Sequence, residues 1–410
     1  METKTSKFAL LLIFATVFID LIGFGIVIPL LPVFAEKFGA GGFMVGLLLM
    51  SYSLMQFFFT PFWGRLSDNV GRRPILLISL AASAGGYLLW GFAGSLWMLF
   101  ASRIVAGFGN ANIAVAQAYI ADVTTAEHRA KGMGLIGAAF GLGFVLGPAI
   151  GGLCAAYGGF HVAGFVAAAF SLLDLVFTFF FLPEPPQRSQ AAHERFVLEP
   201  SFYWKTLTSE RLRVCLAIFF ISTFAFANME ATLVLLTEHQ YRFTPRDNGL
   251  MFAYIGLVMV FVQGGLIGRL ARRFGEQKLV VLGSLLVLVG LLGTPSAASV
   301  PLLYLALGLL AVGSGINSPA NQSILSRLAP ADAQGGVLGV GQSLATLGRI
   351  LGPIVGGASF QYLGMASPYY IGAAAMAVAG GLALLLPRLE AAPALAVSVE
   401  TSDVLARESS

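Results

Sequence analysis

The sequence predicts an all-α polytopic membrane protein, with twelve transmembrane helices in two pseudo-symmetric six-helix bundles. Three observations carry that reading. Charged residues make up only 11% of the 410, hydrophobic residues 57%, and mean hydropathy is +0.83, whereas a soluble domain carries roughly 25% charged residues. Twelve apolar segments follow one another, each near the roughly 20 residues a helix needs to cross a bilayer. The second half also repeats the first at a nearly constant offset. A soluble enzyme, a disordered chain and a secreted disulfide scaffold are excluded by the same numbers.

In chain order the segments run over about 8–33, 43–63, 75–93, 97–121, 132–156, 161–182, 212–237, 248–268, 279–297, 301–324, 336–360 and 366–387. The first is too long for the apolar region of a signal peptide and holds Asp20 at its centre. The longest internal polar interval contains Pro183, Pro185 and Pro186 and then mixed charges. The expected organisation is an N-terminal bundle (1–182), a cytoplasmic connector (183–211), a C-terminal bundle (212–388) and a cytoplasmic tail (389–410) expected to be disordered. The 49 glycines and 34 phenylalanines suit close helix packing and lipid-facing surfaces. Cys154 and Cys215 fall near opposite faces, so no disulfide is expected, and the four histidines show no metal-ligand spacing.

Lysine and arginine set the orientation. With the N-terminus in the cytoplasm, the cytoplasmic segments hold 19 of the 24 cations and the outer loops hold Lys37, Arg242 and Arg246. Arg103 and Arg349 fall inside helices. This asymmetry predicts that both termini are cytoplasmic. Gly64-Arg65-Leu66 and Gly71 recur as Gly268-Arg269-Leu270 and Gly275, 204 residues on. Gly147-Pro148 with Gly151-Gly152 recurs as Gly352-Pro353 with Gly356-Gly357, and Gln117 as Gln322, both at 205. Parallel six-helix repeats belong to secondary transporters that rock two halves about a midplane site.

Between the second and third segments lies Gly64-Arg65-Leu66-Ser67-Asp68-Asn69-Val70-Gly71-Arg72-Arg73-Pro74. Its glycines allow a tight turn, Asp68 suits a helix N-terminus, and its arginines can bind carboxylates across the interface between halves. The loop resembles the signature loop of the major facilitator superfamily, Gly-x-x-x-Asp-x-x-Gly-Arg-Arg/Lys. Within that superfamily the chain is similar to the twelve-helix drug:proton antiporters, and among them to the tetracycline-efflux-like branch. Asp20-Leu21-Ile22-Gly23-Phe24-Gly25 with Pro29-Leu30-Leu31-Pro32, Arg103-Ile104-Val105-Ala106-Gly107-Phe108-Gly109, and Tyr119-Ile120-Ala121-Asp122 with Arg129-Ala130 carry the narrower match.

The resemblance implies several roles. Gly64, Arg65, Asp68, Gly71, Arg72 and Arg73, joined by Asp122, would gate the change of state. Arg103 would assist proton transfer; the competing reading is an arginine snorkelling to the outer interface. Gly143, Gly147, Pro148, Gly151 and Gly152 would form the glycine-proline motif of antiporters, which seals the interface between halves; plain helix packing is the alternative.

An acid near mid-membrane is costly and marks function by default, which makes Asp20 a proton-coupling residue or else a structural acid beside glycine-rich backbone. Glu230 and Arg349 lie deep in the seventh and eleventh segments. They form a second proton or substrate site, or a structural ion pair. Arg349 departs from the simplest antiporter pattern and favours anionic groups on a substrate. Asp174 reads as structural, because the sixth helix packs outside the cavity in the family. Tyr52, Gln56, Asn112, Gln117, Asn228, Gln263, Asn317 and Gln322 are the polar cavity candidates, fewer than half of them expected to touch substrate.

The expected function is alternating-access efflux, in exchange for protons, of a lipophilic drug-like molecule such as a tetracycline-type compound. Two alternatives stay open: proton-coupled or facilitated uptake of a metabolite, and a non-transporting receptor of the same fold. No nucleophile–base pair, metal cluster or Walker loop is legible, so neither an enzyme nor an ATP-driven pump is expected, and no cofactor, metal or nucleic acid. The partners expected are the substrate, protons and lipid, for a monomer in the bacterial inner membrane.

Overall fold

A computed structural model describes residues 4–110, 113–124, 126–185, 200–210, 212–330 and 333–386. Every regular element among them is helical. The N-terminal set is α1 (Lys4–Val27), the short α2 (Leu31–Glu36), α3 (Gly42–Val70), α4 (Arg72–Gly91), α5 (Leu96–Gly109), α6 (Ile113–Val123) and α7 (Ala126–Phe181). After a short helix, α8 (Pro200–Thr208), comes the C-terminal set. It comprises α9 (Arg213–Tyr241), α10 (Pro245–Phe261), α11 (Ile267–Phe274), α12 (Glu276–Ser296), α13 (Val300–Leu328), α14 (Gln334–Leu363) and α15 (Ser367–Leu384). A π-helical turn, Val262–Leu266, joins α10 to α11.

The elements follow from the solvent. In lipid each backbone N–H and C=O must be bonded within the protein, and a helix does this alone. Eleven helical stretches are long and apolar enough to cross, their best windows having mean hydropathy 1.2 to 2.6. One of them, Leu135–Phe181, has 47 residues, about 70 Å of helix and twice a bilayer core. It turns back at Gly159, where φ is 82° and ψ 175°, a conformation that glycine adopts without strain. α7 therefore has two antiparallel arms, and the described residues make twelve crossings. Outside the crossings, Thr244 and Asp247 form a reciprocal cap at the start of α10, while α8 is a helix that the polar composition of the connector did not suggest.

The apolar core is divided in an informative way. One cluster spans both sets on the face away from the termini, joining Ile26, Trp90 and Ala163 to Leu233, Leu307 and Tyr369. On the terminal face there are two separate clusters. One lies within the N-terminal set (Ile13, Ile75, Tyr119, Leu182) and one within the C-terminal set (Cys215, Val280, Ile324, Val340). The sets are thus joined on one face and parted on the other.

Two backbone contacts make the closed face. α3 meets α14 so tightly that a Cβ at Gly42 would stand 2.8 Å from the Gly357 carbonyl. The first arm of α7 meets α10, where a Cβ at Gly152 would stand 2.9 Å from Gly249 Cα. Contacts within one set look similar but have a different meaning: a Cβ at Gly151 would stand 2.9 Å from Ile26 Cα of α1.

These two kinds of contact are separable. Gly151→Val overpacks a junction present in every conformer and is expected to lower the melting temperature in detergent, at a cost of about 1–3 kcal/mol. Gly357→Val strains only the closed face and is expected to favour the conformer open there, on the order of tenfold. Maleimide labelling of Leu49→Cys from that face, with Cys154 and Cys215 replaced by serine, reads the shift. Equal loss of melting temperature with unchanged labelling would contradict it.

Candidate functional site

A central cavity of about 50 Å³ lies between the two sets. Its walls are Phe24 and Val27 of α1, Ile28 just beyond it, Leu31 of α2, Leu49, Tyr52 and Ser53 of α3, Arg103 of α5, Ala227 and Glu230 of α9, and Arg349 and Pro353 of α14. The wall is mainly apolar, with three charged side chains converging on it. Phe24 stacks on Tyr52 at 5.0 Å between centroids and meets Phe144 edge-on at 5.9 Å.

Each charge is held differently. Arg103 is buried, 3% exposed. Its guanidinium carbon lies 5.2 Å from the Trp90 ring and 5.9 Å from the rings of both Tyr52 and Tyr87, and Nη2 donates to Ser102 Oγ at 3.2 Å. Three π faces can hold a cation that water does not reach. Glu230 and Arg349 come from the neighbouring helices α9 and α14 of the C-terminal set and are half-buried, facing the cavity. Arg349 Nη2 donates to Thr346 Oγ1 at 2.9 Å. In a poorly polarisable cavity such charges feel each other over several ångströms. One acid and two cations leave the wall with a positive excess.

Asp20 is 2% exposed and lies behind this wall. It interacts with Tyr52, which lines the cavity, and with Tyr87. One turn away, Thr16 Oγ1 is 3.1 Å from Thr178 Oγ1 on the second arm of α7.

The signature loop forms a compact polar cluster on the terminal face. Arg72 Nη1 is 2.5 Å from Asp68 Oδ1 and donates to Ser67 Oγ at 2.7 Å, while Nε donates to Asp122 Oδ2 at 2.9 Å. Glu184 caps the start of α4, accepting from the backbone N–H groups of Arg72 at 2.6 Å and Arg73 at 2.9 Å. The Arg73 side chain donates to the Phe179 carbonyl, and Arg65 is exposed. None of these partners comes from the C-terminal set. The expectation that the arginines reach across the interface is therefore not realised in this conformer, because the terminal face is parted. Gly71, with φ 109°, and its repeat Gly275, with φ 79°, make the same turn in both sets.

The glycine-proline segment has two working sides. Gly143, Gly147 and Gly151 lie against Leu21, Gly25 and Ile26 of α1, while Gly152 and the Pro148 carbonyl lie against Gly249 of α10. It binds α1 on one side and the opposite set on the other. Gly64 has open space around it.

Of the polar cavity candidates, Tyr52 and Arg349 line the cavity, and Gln56 donates to Tyr52 Oη at 3.3 Å and to the Asn110 carbonyl at 3.1 Å. Asn228 instead bonds the Pro368 carbonyl at 2.7 Å, and Asn317 bonds Ser222, Ser284 and the Val280 carbonyl. Both are helix-to-helix ties. Gln117, Gln263 and Gln322 are exposed. Asn112 lies outside the described residues. Sequence reasoning passed over Glu184 and over the pair Glu276–Arg327, which meets at 2.9 Å. Glu276 and Arg327 stand 204 and 205 residues beyond Arg72 and Asp122, so the repeat offset itself was the missed signal. Asp174, read as structural, is fully buried and interacts with Asp20, Thr16 and Thr178.

Comparison with known proteins agrees with this architecture. The family model described as Major Facilitator Superfamily matches residues 13–293 and 264–406. The tetracycline resistance protein, class H, of Pasteurella multocida is 33% identical over 364 residues, covering 87% of this chain and 90% of its own. The class C protein of Escherichia coli is 35% identical over 356 residues, covering 85% and 89%. The crystal structure of the human organic anion transporter MFSD10 (TETRAN) superposes with a TM-score of 0.70 at 27% identity, covering 93% of this chain and 100% of that one. Twelve crossings, a repeated glycine turn, a cavity between two helical sets and these matches lead to one assignment: the chain belongs to the major facilitator superfamily of membrane transporters, in its tetracycline-resistance-like branch.

Proposed function

We propose that this transporter works by alternating access as a proton-coupled antiporter, exporting a lipophilic drug-like molecule from the cytoplasm. The observation that carries the reading is the cavity itself, an apolar chamber between two helical sets with Glu230 on its wall and the buried Asp20 interacting with Tyr52 of that wall. Acids at that depth bind and release protons rather than serve as permanent charges. The similarity to tetracycline resistance proteins supports export and a drug-like substrate. With the termini in the cytoplasm, as the cation asymmetry favours, the joined face is the outer one and the conformer is inward-open. A proton taken up from outside would compete with substrate, and its release inside would reset the carrier.

A second reading has one observation behind it. Arg103 and Arg349 outnumber Glu230 on the cavity wall, which suits a substrate with an anionic group. The human neighbour is described as an organic anion transporter. Such a substrate could be a metabolite moved inward. Overexpression separates the directions: export raises drug tolerance, uptake raises sensitivity or growth on the metabolite.

Proteoliposomes with an internal pH dye and tetracycline as the first probe test the coupling. Wild-type protein should move protons when tetracycline is added. Asp20→Asn should abolish that movement, and Glu230→Gln should slow it on the order of tenfold, about 1.4 kcal/mol on the barrier. Proton movement that survives Asp20→Asn in full would refute the role of Asp20.

The joined face supplies a pH prediction. Glu36, at the end of α2, is half-buried, and burial first and the Glu238 charge second raise its carboxyl pKa above the ordinary value, with His239 opposing. When the face opens, α2 and α9 part and the shift relaxes. The closed form thus binds the proton more tightly. Its advantage is complete below the ordinary pKa and is lost as pH rises through the raised one. Acid outside should therefore protect Leu49→Cys from outside labelling, and Glu36→Gln should abolish the pH dependence.

A further inference from the structure

We propose that Asp20 and Asp174 share one proton, as a carboxyl–carboxylate pair set between α1 and the second arm of α7, and that this pair is the proton site of the N-terminal set. Its role in transport rests on the exchange reading above. The shared proton itself does not.

The argument begins with register. Thr16 and Asp20 are four residues apart on one face of α1, and Asp174 and Thr178 are four apart on one face of the α7 arm. The two helices run antiparallel, and their hydroxyls meet at 3.1 Å. Four residues of helix rise about 6 Å. One step outward along α1 from Thr16 and one step back along the α7 arm from Thr178 therefore bring Asp20 and Asp174 to the same level. The result is a two-rung ladder, threonine on threonine and aspartate on aspartate. Asp174 interacts with Asp20, Thr16 and Thr178, and Thr178 Oγ1 donates to its Oδ1 at 3.4 Å.

The surroundings leave a proton as the missing component. Asp174 is 0% exposed and Asp20 2%. Among the described residues Asp174 Oδ2 has no hydrogen-bond partner, and neither has the fully buried Ser171 hydroxyl one turn outward on the same face. Tyr52 of α3 and Tyr87 of α4, both phenols, face Asp20, and Arg103 of α5 lies on the ring faces of both. Two full negative charges in such an interface repel each other. A single proton removes the repulsion, and the O–H···O bond it makes gives Oδ2 its partner. Tyr52, with its ring on the cavity wall and its hydroxyl bonded to Gln56, joins the pair to the cavity.

Infrared difference spectroscopy during a pH titration tests this on the full chain in lipid, with carbon-13 in the aspartate carboxyls and protons as the only ligand. The expected result is a protonated aspartate band persisting at neutral pH in the wild type, shifted or lost in both Asp20→Asn and Asp174→Asn. A band indifferent to Asp20→Asn would mean that Asp174 holds its proton alone, and no band at all would mean there is none to share; either overturns the proposal. Because Asp174→Asn can disturb folding, Asp174→Glu serves as the second variant. It should keep a protonated carboxyl whose frequency still responds to Asp20→Asn. In the tetracycline proteoliposomes, Asp174→Glu should also move the pH midpoint of exchange by about one unit or more. If wild-type exchange moves no protons, the antiport reading fails while the infrared result still decides the shared proton.

Discussion

The cost of a charge in a medium that cannot solvate it governs most of this structure. Lipid first imposes helices, since only they satisfy their own backbone. It then makes each ionisable side chain inside the span depend on a particular arrangement of neighbours. The arrangements differ with the charge. Arg103 is held by three aromatic faces and one hydroxyl. Glu230 and Arg349 face a common cavity from α9 and α14. Asp174 is set against threonines and a second acid. Removing water also strengthens every interaction among these groups, and Tyr52 interacts with three of the charges, Asp20, Arg103 and Arg349.

The same medium explains how the two sets can part. Helices in lipid gain nothing from hiding apolar side chains from each other, so close van der Waals contact must hold them. At the joined face this contact is backbone on backbone, Gly42 with Gly357 and Gly152 with Gly249. Such contacts need no side chain to reorganise when they separate. The Gly147 and Gly151 contacts with α1 lie within one set and separate from nothing. The glycine-proline segment therefore combines a junction within one set and a junction between the sets in a few residues, on two sides of one helix.

Much of this was legible in the sequence, and the remainder follows a rule. Hydropathy located all twelve crossings, because lipid demands long apolar runs, and the offset repeat exposed the paired turns at Gly71 and Gly275. Rotation about each helix was not legible in segments that are apolar on nearly every side. Asn228 and Asn317 thus read as cavity residues, although one bonds α15 and the other ties α13 to α9 and α12. Asp174 read as peripheral because its helix lies outside the cavity, yet its face is turned inward to α1. Among the charged residues Arg103, Glu230 and Arg349 were placed well, since a charge in such a helix has few affordable directions to point.

The two turns on the terminal face also show why equivalent positions need not do equivalent work. Arg72 pairs with Asp122, and at the matching positions Glu276 pairs with Arg327. The ion pair is kept while its charges are exchanged. A glutamate at the first position of a helix is favoured by the helix dipole, and an arginine there is opposed by it. The first turn therefore recruits Asp68 and Glu184 in addition to Asp122, whereas Glu276 needs only Arg327 and the Ser323 hydroxyl. Two carboxylates, Asp68 and Asp122, share the Arg72 guanidinium, and Glu184 holds the backbone N–H groups beside it. In the alternating-access reading proposed above, a group arriving from the C-terminal set would displace one of the two while the arginine stayed paired with the other. Among the described residues the charge-reversed copy has one carboxylate–arginine pair, so on that reading the first turn is the better suited to a contact that forms and breaks.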